Sequence, residues 1–177
     1  ISIHKASFFG CSSLKQIIFE SPSSVKNLVP SFCKMQFTTE ITIPSSLTAI
    51  NGIFASCTSL KQVIFKKPTS VTSINDIAFE GCTSLKKITI PSTVETIKHV
   101  AFLGCSSLEE IIFEKPSSVK YIDRAVFDSC DSLKQIEIPP LVKAIKSATF
   151  QNCKSFEKIL LLFFYLIYYS SKIASNL

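Results

Sequence analysis

The chain has no tryptophan, one methionine, two histidines and only four glycines in 177 residues. Each shortage excludes something. Three of the glycines (Gly10, Gly81 and Gly104) each stand directly before a cysteine, so no glycine-rich loop is left to cradle a phosphate. His4 and His99 are the only histidines, and no His-Glu-x-x-His, Gly-x-Ser-x-Gly or Cys-x-x-Cys occurs. A zinc hydrolase, a serine esterase and a structural zinc site therefore have no footing. No Asn-x-Ser/Thr sequon is present, so N-glycosylation of this stretch is not expected. The longest apolar run, 159–169, would reach about 16 Å as a helix, against a bilayer core of about 30 Å. The expectation is a protein that is not an enzyme and that has no cofactor and no metal.

What the chain does have is one motif written six times. Phe8-Phe9-Gly10-Cys11, Phe54-Ala55-Ser56-Cys57, Phe79-Glu80-Gly81-Cys82, Phe102-Leu103-Gly104-Cys105, Phe127-Asp128-Ser129-Cys130 and Phe150-Gln151-Asn152-Cys153 share a spacing and a chemistry. The second copy along the chain is degenerate: it places Met35 in the cysteine slot and leaves Cys33 out of register. Strand anchors Ile17, Ile41, Val63, Ile88, Ile111, Ile136 and Ile159 recur 22 to 25 residues apart. Self-similarity at this period marks a solenoid, whose coils bury their apolar faces only against one another. Long copies such as Ile111-Ile112-Phe113-Glu114-Lys115-Pro116 alternate with short ones such as Ile88-Thr89-Ile90-Pro91. The super-period is thus two coils.

Within a coil, Leu-x-x-Ile-x-Ile alternates as a half-buried strand does. Proline then removes a donor and stops the ladder, and Ser-Ser forms the turn. Val, Ile, Phe and Cys follow at spacings of three, five and three, which predicts a short helical or 3₁₀ segment packed behind the strand. His99 aligns with Asp76 and Arg124, and a slot that accepts all three is a surface slot.

The run Ile77-Ala78-Phe79-Glu80-Gly81-Cys82-Thr83-Ser84-Leu85-Lys86-Lys87-Ile88-Thr89-Ile90-Pro91 resembles the BspA-like class of leucine-rich repeats. The resemblance covers residues 1–158 and implies an α/β solenoid of about seven coils, with a parallel β-sheet on one face and short helical or 3₁₀ segments on the other. It also implies a non-enzymatic protein-binding module of a cell-surface or secreted adhesion protein, whose partner is a host-cell or extracellular-matrix component. An intracellular (cytoplasmic) scaffold and a structural spacer are the alternatives. No nucleic-acid partner is expected.

The chain lacks an initiator methionine and starts mid-repeat at Ile3, which reads as a piece of a longer protein. Residues 159–177 form an apolar tail, read as a cap over the last coil, a vestigial or membrane-associating anchor acting through 159–169, or a degenerate end. Open end coils and this tail also predict self-association of the fragment. The net charge of +6 is spread over the repeats, densest from Lys61 to Lys98, and reads as a solvated face or as attraction to an anionic partner. Six cysteines share one slot and should form a column with a step of about 4.8 Å. That step lies within disulfide range of about 4.4–6.8 Å, but parallel side chains point alike, so reduced, packed thiols are the preferred reading. Cys33 is the one thiol expected to be reactive.

The candidate binding surface is the outward face of the strand ladder. It comprises Gln16 and Ile18, Glu40 and Thr42, Gln62 and Ile64, Lys87 and Thr89, Glu110 and Ile112, and Gln135 and Glu137. Isoleucine stands outward on each long copy, and threonine or glutamate on each short one. Apolar stripes rimmed by polar groups suit a protein partner.

Overall fold

The structure, a computed structural model, describes residues 2–3, 14–18, 27–28 and 38–162. Cys11, Cys33, Met35 and the tail beyond Leu162 lie outside the described residues.

Every strand anchor falls in a strand of the first side. These strands are β2 (Gln16–Ile17), β4 (Glu40–Ile43), β6 (Gln62–Phe65), β8 (Lys87–Ile90), β10 (Glu110–Phe113), β12 (Gln135–Ile138) and β13 (Lys158–Leu161). Seven strands bound six turns of a β-solenoid, and all pairing is parallel. The equivalent positions pair in register, as Ile41 does with Val63, Ile88 with Ile111 and Ile136 with Ile159. In the short copies the ladder stops where proline removes the donor: β4, β8 and β12 end immediately before Pro44, Pro91 and Pro139. The ladder itself runs on to Leu161.

A second parallel ladder runs along another side. It is formed by β5 (Ala49–Ile50), β7 (Ser73–Ile74), β9 (Thr96–Ile97) and β11 (Tyr121–Ile122), and it is extended by a bridge from Ile122 to Ile145. Further toward the N-terminus, β1 (Ser2–Ile3) pairs with β3 (Asn27–Leu28).

The third side corrects the expected helical face. Among the described residues there is no α- or 3₁₀-helix. The segment from Asn75 to Cys82 is a chain of turns in which only alternate amides bond locally: Ala78 N–H donates to Asn75 O (3.3 Å), Glu80 to Ile77 O (3.3 Å) and Cys82 to Phe79 O (3.1 Å). The amides between them leave the coil. Ile77, Phe79 and Gly81 N–H donate to His99, Ala101 and Leu103 O of the next coil, at 3.3, 2.8 and 2.8 Å. A helix would consume all its amides internally and leave this side of the stack without cross-links. Two left-handed residues per coil turn the odd amides outward. One slot holds Ile77, Val100, Ala125 and Ala148 (φ +48° to +57°); the other holds Ser56, Gly81, Gly104, Ser129 and Asn152 (φ +57° to +70°).

The core is a set of columns between these sides. Phe54, Phe79, Phe102, Phe127 and Phe150 stack with centroids 5.2–5.8 Å apart and planes within 21°. Beside them run the cysteines, all five described ones free. In four of them Sγ–H donates to the phenylalanine carbonyl of the preceding coil: Cys82 to Phe54 O (3.1 Å), Cys105 to Phe79 O (3.1 Å), Cys130 to Phe102 O (3.3 Å) and Cys153 to Phe127 O (3.0 Å). Burial pushes the thiols of Cys82, Cys105 and Cys130 well above the ordinary range, and a neighbouring column thiol adds to the rise. These side chains are packing and hydrogen-bonding elements, not nucleophiles.

Candidate functional site

The alternation of the strands aims one residue in and the next out, and all twelve residues expected at the binding surface stand on the outer face of the first ladder. They form two rows. The first row is polar and laced across coils: Gln16 Nε2 donates to Glu40 Oε1 at 2.5 Å, Glu40 lies opposite Gln62, and Lys87 pairs with Glu110 at 2.8 Å. Gln135 opens the last pair, opposite Lys158.

The second row alternates in polarity. Thr42 lies opposite Ile64, Thr89 opposite Ile112, and Glu137 opposite Leu160. Ile18 is 62% exposed, whereas Ile64 and Ile112 are half-buried between their neighbours. The isoleucine stripes are present, but recessed away from the N-terminal end.

Two features lay beyond the sequence reading. First, the ladder is not continuous. Pairing holds from β2 through β4 to β6, between β8 and β10 and between β12 and β13. It lapses between β6 and β8 and between β10 and β12, which lie side by side without a ladder. Val63, Ile111 and Phe113 of the long copies are slightly less shielded than Ile88 and Ile90 of a short one. Second, a groove of about 1310 Å³ lies over β10, β12 and β13. Its walls include Glu110, Ile112, Lys115, Lys134, Gln135, Glu137, Lys158 and Leu160, and Pro139, Pro140, Leu141 and Leu162 also line it. Four of the expected residues thus share one concavity. Lys158 and Leu160, which simply continue the two rows, could have been found by carrying the same alternation one strand further.

The long copies reach across the short ones. Glu114 accepts from Lys67 Nζ (2.8 Å) two coils away and from Ser92 N–H (3.2 Å) between them, and Lys115 Nζ pairs with Glu137 at 2.7 Å. Three of the six lysines in the dense zone, Lys67, Lys86 and Lys87, face carboxylates across coils, with Lys86 meeting Glu109 at 3.7 Å. Among the described residues no group of three His, Cys, Asp or Glu could hold a metal ion. No helix among them is long and apolar enough to cross a membrane.

A family model described as a BspA type leucine rich repeat region matches the chain in six copies, over residues 1–70 and 53–163. No curated protein matches. Among solved structures, a leucine-rich repeat protein from Bacteroides ovatus is similar at 33% identity and a TM-score of 0.77. The match covers 90% of this chain and 40% of that one. The leucine-rich repeat protein of T. pallidum is similar at 25% identity and a TM-score of 0.74, over 82% of this chain and 68% of that one. The pneumococcal vaccine antigen PcpA is similar at 26% identity and a TM-score of 0.59, over 70% of this chain and 29% of that one. The chain therefore spans well under half the length of the Bacteroides ovatus protein it matches.

Proposed function

Because this chain belongs to the BspA-type leucine-rich repeat family, whose members are in general protein-interaction modules, we propose that it is a non-enzymatic binding module that presents the outer face of its first ladder to a protein partner. The observation that carries this reading is the groove over β10, β12 and β13. There Ile112, Leu160 and Leu162 supply apolar contact, and Glu110, Gln135, Glu137 and Lys158 supply a polar rim. A surface that mixes apolar side chains with carboxylates and amides suits a protein better than a polyanion. The site comprises Gln16, Ile18, Glu40, Thr42, Gln62, Ile64, Lys87, Thr89, Glu110, Ile112, Gln135 and Glu137, with its centre at the C-terminal strands.

The setting we propose is the cell surface or the secreted space, with a host-cell or matrix protein as partner. The similarity to a pneumococcal vaccine antigen supports this setting. The test uses the intact chain and an Ile64→Lys/Ile112→Lys variant against an array of purified matrix proteins. Wild type should bind at least one of them and the variant at least about tenfold more weakly, with both giving the same circular dichroism spectrum. Equal binding by the two would refute the strand-face site. Antibody staining of intact against permeabilised source cells tests the setting: signal only after permeabilisation would replace adhesion with an intracellular scaffold.

A further inference from the structure

The coil between β12 and β13 is the last one described, and its end face is open. Ile145, Ile159 and Leu161 occupy the slots that Ile122, Ile136 and Ile138 fill one coil earlier, yet they are 38, 41 and 51% exposed against 1, 1 and 4%. Leu162 at the rim is exposed as well. The outer edge of β13 pairs with no strand among the described residues. On the turn side, the amides of Ala148 and Phe150 stand where earlier coils donate to a following coil, and they have no such partner among the described residues. The result is an apolar patch edged by backbone donors, a surface that soluble proteins cover.

We propose that residues 163–169, Phe-Phe-Tyr-Leu-Ile-Tyr-Tyr, cover this face. Three observations select this occupant. The segment follows Leu162 directly, so no linker separates it from the patch, and its local concentration there is high. All seven side chains are apolar or tyrosine, and a tyrosine can lay its ring on the patch while its hydroxyl reaches water. Residues 163–177 contain no proline and no cysteine, so they do not repeat the Pro-Ser-Ser turn or the Phe-x-x-Cys motif of another coil. A second copy of the chain is the competing occupant, because the unpaired β13 edge carries both donors and acceptors and is complementary to itself.

Cys153 reports on the cover. Its Sγ is bonded inward to Phe127 O, and the side chain is half-buried where the other described column cysteines are buried. Iodoacetamide labelling, resolved by peptide mass spectrometry, is compared for the intact chain, a chain stopped after Leu162 and a Phe164→Asp/Leu166→Asp variant. The expected result is Cys153 labelling at least about tenfold slower in the intact chain than in the other two, with Cys105 slow in all three as proof that the stack is folded. Equal Cys153 rates overturn the proposal. So does protection that vanishes on dilution, which would identify a second copy as the cover, or protection gained only with anionic vesicles, which would identify a membrane.

Discussion

The middle of the solenoid and its last described coil are built from the same slots and end in different states. Around Phe79 and Phe102 every inward side chain is sealed, while Ile145, Ile159 and Leu161 stand open. The residue types are nearly the same, so the difference lies in the neighbours. A coil here supplies the pattern for a core, and the next coil supplies the burial.

The largest expected effect follows from that asymmetry. Phe79→Ala removes a ring sandwiched between Phe54 and Phe102 and should cost about 3–5 kcal/mol in urea titration. In a chain stopped after Leu162, Phe150→Ala should cost about half as much. Equal losses there would mean that the open end does not weaken the packing of its own coil.

A second difference is set by pH. Burial raises the Cys105 thiol well above its ordinary value and raises that of Cys153 as well. Above about pH 8.5 the unfolded chain releases these protons while the folded chain holds them. This stabilisation is therefore complete below about pH 8.5 and falls as pH rises, by up to about 1.4 kcal/mol per unit for each fully buried thiol. Thermal unfolding at pH 8 and pH 10 should show a marked alkaline loss. Cys105→Ala should flatten it more than Cys153→Ala, and a flat profile in wild type would contradict the buried column.

Surface charge should not distinguish the two regions. Lys87–Glu110 in the middle and Lys154–Asp131 at the end have similar separations, 2.8 and 2.9 Å, and both are largely solvated. Double-mutant cycles should give about 0.2–1 kcal/mol at each. A pair at one end worth clearly more than the other would show that burial is not the whole difference.

Much of this architecture was legible in the chain. Ile88, Ile111 and Ile136 give the strands, Pro44, Pro91 and Pro139 end them, and the Phe and Cys slots give the columns, because each depends on side-chain chemistry repeated at fixed spacing. The turn side was read as helical because spacings of three, five and three from Val71 to Cys82 suit a helix equally well. One clue was available: Ser56, Gly81, Gly104, Ser129 and Asn152 share a slot that holds only small or turn-forming residues, as a left-handed position prefers. The companion slot gave none, since Ile77 and Val100 are β-branched and rarely adopt positive φ. The outward rows were equally legible from alternation. Their depth was not: whether Ile112 is recessed or Ile18 prominent depends on side chains from neighbouring coils. The seams were also hidden: β2–β4 and β6–β8 join the same kinds of copy, and only the first pair forms a ladder.

The seams have a further consequence. The turn side is bonded from coil to coil, the second ladder is unbroken from β5 to β11, and the first ladder lapses at two junctions, β6–β8 and β10–β12. At those two junctions the side is held by side-chain pairs such as Lys67–Glu114 and Lys115–Glu137 in place of a backbone ladder, so the long copies act there as staples across the short ones.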